Sequence, residues 1–265
     1  MTDQPVIEGI RINLPTQAAA VHAAISRAER GEGFSLFTLN LDHLVKLRAS
    51  PAFRQAYASA GLISADGAPI VWLARRQGAE LERTTGADLV EPLMAEAAAR
   101  GLPVYVVGPG PDAQAQGLAK LRAEYPGLIV AGAETPRVPG DDNGLDEAFD
   151  VAALAHRINA SGARLCLLCL GAPKQELLAE SLRRRCPSVG FLGVGAALDF
   201  IAGEVSRAPR WMQVTGLEWT WRLIRQPRRL GLRYARCAWL FVGLALTAIR
   251  QERPEPGRSI AEAAR

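Results

Sequence analysis

The sequence predicts an α/β fold: a parallel sheet covered by helices on both faces, followed by a helical appendage of different character. Three observations predict it. Short apolar runs alternate with segments whose apolar residues recur at helical spacing. The runs are apolar along most of their length, as strands buried on both faces are, and do not alternate with polar residues. Charge and aromatic content also change abruptly after Gly203. Strands and helices in such alternation imply right-handed crossovers and a Rossmann-like sheet whose ligands gather at the carboxyl ends of the strands.

The strands read in order as FSLFTL (34–39), PVYVVG (103–108), GLIVAG (127–132), RLCLLCLG (164–171) and SVGFLGVG (188–195). A short apolar run, GLISA (61–65), meets an amphipathic stretch starting near Pro69, and Asp66 stands at the junction. Helical segments such as GADLVEPLMAEAAARG, PDAQAQGLAKLRAEYPG and APKQELLAESLRRRCP carry Gly or Pro at their ends. The loop GAETPRVPGDDNG (132–144) reads as a surface connection or flap, and its Asp141–Asp142 pair as a solvated turn before a divalent-ion site. From TGLEW to TAIR the chain reads as two helices broken near Pro227. Their most apolar part, Cys237 to Ile249, is short of the roughly 20 residues that span a bilayer. Trp, Tyr and Arg beside a short apolar run suit a helix lying in a membrane interface. A helix docked on the sheet with solvated arginines is the competing reading. The organisation is therefore an α/β core (1–206), a basic helical appendage (207–250) and a tail (251–265) disordered by composition.

A chain of 265 residues, 49% hydrophobic, buries a large core. Its net charge of +4 conceals an asymmetry: residues 207–250 hold nine arginines and one acid, Glu218, which leaves about −4 on residues 1–206. Four of the five tryptophans lie among those arginines. No nucleic-acid partner is expected, and a homo-oligomer is left open. Cys166, Cys169, Cys186 and Cys237 show no disulfide-framework spacing, and the N-terminal MTDQPVIEGI lacks a secretory pattern, which together point to the cytoplasm. CLLC falls within a strand, where positions three apart face opposite sides, so its cysteines read as core thiols.

Three strands end in glycine and run into helices, at Gly108, Gly171 and Gly195. Glycine admits close backbone approach, and helix starts attract phosphate. Neither a complete dinucleotide fingerprint nor a P-loop is present, so a nucleotide or sugar nucleotide fits better than ATP hydrolysis. Lys174, Gln175 and Glu176 follow a strand end, where the helix start would present them toward the ligand crevice as candidate substrate-binding residues; solvation accounts as readily for the Lys and Glu, while Gln175 is a candidate hydrogen-bonder to a sugar. Thr38 and Asn40 lie at another strand end, where Asn40 also reads as a helix cap. His43 has no metal-ligand spacing around it, and no nucleophile elbow exists. Carboxylates and arginines remain for catalysis.

Together, TLNLDH, ISADGAPIVWLARRQG, ERTTGADL, VYVVG, YPGL, CLGAPKQE, GVGAALDFIAG, RAPRWMQ and GLEWTWRLIRQPRR resemble the WecG/TagA/CpsF family of bacterial glycosyltransferases, in order from about Thr38 to Phe241. The resemblance implies a hexosyltransferase that moves sugar from a UDP-sugar to a polyprenyl-diphosphate-linked saccharide with inversion, in cell-surface polysaccharide assembly. It implies Asp66 as general base. Arg83, Arg222, Arg229 and Arg233 would stabilise the leaving diphosphate without a metal or other cofactor. Thr38, Asn40, Gln175 and Asp199 would line the donor pocket. It further implies that the C-terminal segment approaches the cytoplasmic membrane surface and completes the site. The sequence departs from the family where RVPGDDNGLDEAF stands in place of a Gly-Tyr-Phe segment that many members have, so aromatic stacking on the ligand by that loop does not carry over. Two other readings share the fold: a sugar-nucleotide-modifying enzyme or oxidoreductase, which would want the full fingerprint, and a non-catalytic membrane-associated scaffold.

Overall fold

The computed structural model describes residues 4–141 and 144–251. A hairpin, β1 (Val6–Ile7) and β2 (Ile10–Arg11), and helix α1 (Gln17–Glu29) precede β3 (Phe34–Leu39). Helices α2 (Leu41–Ala49) and α3 (Pro51–Ala58) lead to β4 (Leu62–Ala65), and α4 (Ala68–Arg75) and α5 (Gly86–Arg100) lead to β5 (Val104–Val107). Then come α6 (Pro111–Glu124), β6 (Val130–Glu134), a second hairpin of β7 (Gly140–Asp141) and β8 (Gly144–Leu145), α7 (Val151–Ala160) and β9 (Leu165–Leu168). Next follow α8 (Lys174–Arg183), β10 (Gly190–Gly193) and α9 (Ala197–Ala202), and last α10 (Arg210–Val214), α11 (Glu218–Arg225) and α12 (Pro227–Gln251).

The main sheet has six strands in the order β4-β3-β10-β9-β5-β6, every pair parallel. Alternation along each strand feeds two cores. Phe34 and Leu36 enter one, Phe37 and Leu39 the other; Leu165 and Leu167 part from Cys166 and Leu168 in the same way. The first core is covered by α2, α3, α4, α7 and α8, the second by α1, α5, α6 and α9. Phe37, Phe53 and Tyr57 are almost wholly buried, with Phe53 and Tyr57 rings 5.2 Å apart. Each such side chain contributes about 2 kcal/mol or more by leaving water. The opposite facing of Cys166 and Cys169 follows from the same alternation, and all four cysteines are buried and free.

This topology opens a crevice. Strand β3 continues into α2 on one face, whereas its neighbour β10 continues into α9 on the other, so the helices part above the β3–β10 seam. The short run ending at Ala65 is the sheet's edge strand β4, in register with β3 through Leu39 and Ala65. Strand β6 starts at Val130, three residues later than the apolar run suggests, and its pairing with β5 is irregular between Val104 and Tyr105. The 132–144 loop contributes its first residues to β6 and contains β7; Asp142 lies outside the described residues, as does the tail beyond Gln251.

The chain does break at Pro227, and α12 is one 25-residue helix. Leu230–Arg250 is long enough and apolar enough to cross a membrane by length and composition alone, with a mean hydropathy of 1.3. The shorter count of Cys237 to Ile249 took only its uninterrupted apolar part. One face is docked: Leu230, Cys237 and Leu240 are buried, Leu240 belongs to the first core, and Phe241 meets Trp72 of α4 edge-on at 5.7 Å. Arg233 Nε bonds Asp42 Oδ1 of α2 at 2.8 Å. Another face is bare, with Trp239 84% and Leu232 68% exposed, and Val242, Leu246 and Ile249 continuing the stripe.

Candidate functional site

Register delivers the central pair. Because Leu39 lies opposite Ala65, Asn40 and Asp66 leave the sheet side by side. Asn40 serves both ends of its amide: Oδ1 accepts the His43 N–H at 2.9 Å and so caps α2, and Nδ2 donates to Asp66 Oδ2 at 3.3 Å. Asp66 itself caps nothing; the first residue before α4 is Gly67, with no side-chain cap. Gly67 has φ 99°, a conformation that a Cβ would strain, so the Asp-Gly turn depends on the glycine and not on the aspartate side chain, which meets Asn40 instead. Its carboxyl is pushed up to about 6 by burial, against the opposing Asn40 bond and the charges of Arg83 and Arg222, with Glu218 adding to the rise. Thr38, one residue before Leu39, is buried opposite Ser64.

Arg83 is brought to Asp66 by the backbone. Thr84 N–H donates to Ala65 O at 2.8 Å and Ser64 Oγ to Thr84 O at 3.2 Å, so the loop before α5 runs along the edge of β4. Thr85 then caps α5 in a reciprocal box with Asp88. From there a charge cluster forms. Arg207 Nη2 bonds Asp88 Oδ1 at 2.5 Å, Arg83 Nη2 stands 3.6 Å from Asp88 Oδ2, and Glu218 of α11 lies 3.5 to 4.0 Å from Arg222, Arg207 and Arg83. Arg207 and Arg222 also sit over the Phe200 ring of α9, at 5.9 and 5.2 Å. The appendage thus closes one side of the Asp66 crevice with guanidinium groups.

The other side is built from α8 and β10. Gln175 Oε1 accepts the Gly195 N–H at 3.0 Å, tying the start of α8 to the β10–α9 turn, and its Nε2 donates to Glu176 Oε1 at 2.8 Å. Glycine at 193 makes room, since a Cβ there would lie 3.0 Å from Gln175 Nε2. Solvation does not account for Glu176, which is fully buried and whose Oε2 has no hydrogen-bond partner. Burial pushes its carboxyl up to about 7. Beneath it, His43 Nδ1 is 2.6 Å from the Tyr57 hydroxyl and Nε2 is 3.8 Å from Glu176 Oε1; burial holds the imidazole far below its usual range, hence neutral. Helices α4, α6, α8 and α9 begin at carboxyl ends of strands without side-chain caps, leaving their first N–H groups for an anion.

The remaining sequence candidates scatter. Gly108 has φ 80° and a Cβ there would lie 2.8 Å from Cys169 O, so it serves close strand-end packing; Gly171 is open-sided. Lys174 is engaged elsewhere, its Nζ donating to Val138 O at 2.9 Å and pinning the 132–144 loop over α8. Asp199 is half-buried on α9, its carboxyl raised by burial and by Glu204. Arg233 is not with Asp66; it holds Asp42, which Lys46 also engages. The side chain of Arg229 lies outside the described residues. Arg207, Asp88 and Glu218 were not singled out from sequence, although all three lie inside the quoted motifs or at their edge. Among the described residues no three His, Cys, Asp or Glu side chains are placed to hold a metal ion. Two cavities of about 440 and 410 Å³ flank α12, lined by residues such as Val45, Trp239, Val6 and Leu244, away from Asp66.

A raised carboxylate beside an arginine cluster can accept a proton from a hydroxyl while the cations hold a departing anion. The family model described as Glycosyl transferase WecG/TagA/CpsF family matches residues 5–255 of the chain.

Proposed function

The chain belongs to the WecG/TagA/CpsF family of glycosyl transferases, and on that premise we propose that it moves a hexose or N-acetylhexosamine from a UDP-sugar to a polyprenyl-diphosphate-linked saccharide, with inversion. The observation that carries this is Asp66, a carboxyl raised to about 6 at the crevice edge and facing Arg83 and Arg222. At neutral pH most of it is ionised yet basic enough to accept a proton. An acceptor hydroxyl forms its bond to the anomeric carbon as the bond from that carbon to the UDP oxygen breaks. Its proton passes to Asp66, and the charge left on UDP falls to Arg83, Arg207 and Arg222. Those arginines take the part a divalent ion would otherwise play, so no metal or cofactor is assigned. Gln175, Thr38 and Asn40 are assigned to the donor pocket.

The lipid acceptor requires a meeting with the membrane, and α12 supplies the means. Its bare stripe of Leu232, Trp239, Val242, Leu246 and Ile249 lies among arginines, and cations near an anionic surface contribute roughly 1 kcal/mol each. We place the enzyme peripherally on the inner face of the cytoplasmic membrane, α12 in the interface plane. The test is a screen of UDP-sugars against a polyprenyl-diphosphate-linked acceptor in EDTA, read by mass spectrometry. Transfer from one donor, with inverted product, is expected. No transfer from any UDP-sugar, or activity lost in EDTA and restored by Mn²⁺, would overturn the corresponding part of the reading.

A further inference from the structure

The two acids of the arginine cluster are attached very differently. Asp88 is fixed: it completes the α5 capping box, accepts from Thr85 Oγ1 at 2.8 Å and is bonded by Arg207 at 2.5 Å. Glu218 is held loosely, 3.5 Å from Arg222, 3.8 Å from Arg207 and 4.0 Å from Arg83, at or beyond the limit of a hydrogen bond in each case. Its helix α11 buries none of its residues, so little packing resists a shift. Opposite Glu218 Oε1, the buried Nε of Arg207 has no hydrogen-bond partner. A buried guanidinium donor without an acceptor is costly, and it marks a place where an acceptor is due.

Charge balance gives the same answer. Three arginines face Asp66, Asp88 and Glu218, so the site without donor is close to neutral. A nucleoside diphosphate brings at least two negative charges, and Glu218, the acid least firmly held, is the one that competes with it for the same three cations. We propose that Glu218 is a built-in counter-ion of the donor site, which neutralises Arg83, Arg207 and Arg222 before the donor arrives and gives them up to its diphosphate. The inference rests on the reading that these arginines receive the donor. Glu218 then determines donor affinity, and by competing for the same cations it speeds the departure of UDP after transfer.

Titration calorimetry of UDP against the full chain tests this. Glu218→Gln keeps the shape and removes the charge, and Glu218→Ala removes the group altogether. Both are expected to bind UDP more tightly, by roughly three- to tenfold, with UMP gaining less because it lacks the second phosphate. Arg207→Gln and Arg222→Gln are expected to weaken UDP binding. Unchanged or weaker binding by both Glu218 variants, with the arginine variants weakened as expected, would overturn the counter-ion and leave the donor reading standing. If the arginine variants bind UDP like wild type, the donor reading itself fails.

Discussion

Replacing Asp66 with asparagine sets catalysis against stability. The carboxyl titrates at about 6 in the folded protein against 3.8 for an unperturbed group. An acid with a raised folded pKa binds its proton more tightly when folded, so ionisation costs stability. The cost is absent below about pH 4, grows between pH 4 and 6, and is complete above 6. Two pH units correspond to about 3 kcal/mol, and because Asp66 is partly exposed, solvent screening reduces this to about 1–2 kcal/mol. Asp66→Asn removes the cost and keeps an oxygen to accept from Asn40. It is therefore expected to melt about 2–6 °C above wild type at pH 7.5, with the gap closing as pH falls towards 4. Transfer should fall at least a hundredfold, and wild-type transfer should itself decline about tenfold per pH unit below 6. Calorimetric melting from pH 4 to 8, beside the transfer assay, reads both. A variant less stable than wild type at pH 7.5, or offset equally at every pH, would refute the burial argument, and wild-type turnover would remove Asp66 as base.

Other substitutions probe the supports. Gly67→Ala forces a Cβ into φ 99° and should cost about 1–3 kcal/mol and most of the activity; an unchanged melting temperature would show that the turn does not need glycine. For Asp42, burial raises the carboxyl, but Arg233 and Lys46 more than offset it and leave the pKa below its ordinary value. That stabilisation is present above about pH 4 and lost as pH falls through the depressed value. Arg233→Gln should therefore cost about 1–2 kcal/mol at pH 7 and progressively less in acid, measured by denaturant unfolding; a cost independent of pH would deny the ion pair its role. Trp239→Glu combined with Val242→Glu should abolish flotation with anionic liposomes while leaving melting unchanged. Equal flotation would sink the membrane stripe. Point changes serve better than truncation here, since removing α12 would also take Leu240 out of the core.

Strong periodicity made the fold legible. Five of the six sheet strands are apolar runs bounded by Gly or Pro, and an apolar strand does not depend on its partners to be recognised. Strand β4 was legible only as a short apolar run, because four residues, Leu62–Ala65, resemble any buried segment until Leu39–Ala65 pairing is seen. The two-residue hairpins leave no pattern at all. At the site, Asp66, Asn40 and Gln175 were legible because each falls at a strand end. Solvation, the competing reading for Glu176, assumes that a helix start faces water; here α8 begins inside the molecule, over His43 and Tyr57. Arg207 and Glu218 were hidden by distance, since their partners Asp88 and Arg83 lie more than a hundred residues away.

For α12 the two sequence readings, docked on the core or lying in a membrane interface, are not alternatives. A helix with one apolar stripe must choose what to cover, but α12 has two. Leu230, Cys237 and Leu240, with Phe241 and Leu244, turn to the core, while Leu232, Trp239, Val242, Leu246 and Ile249 recur at spacings of seven, three, four and three on another side. Summed along the sequence, the two stripes resemble a spanning segment, which is why Leu230–Arg250 passes for one on length and hydropathy. The Arg233–Asp42 bond, the Trp72–Phe241 contact and burial of Leu240 would all be lost if the helix left the core to span a bilayer. A helix that remains docked and turns its second stripe outward loses none of them. It would also hold α11, and with it Glu218 and Arg222, beside Asp66, as the proposed transfer to a lipid-linked acceptor requires.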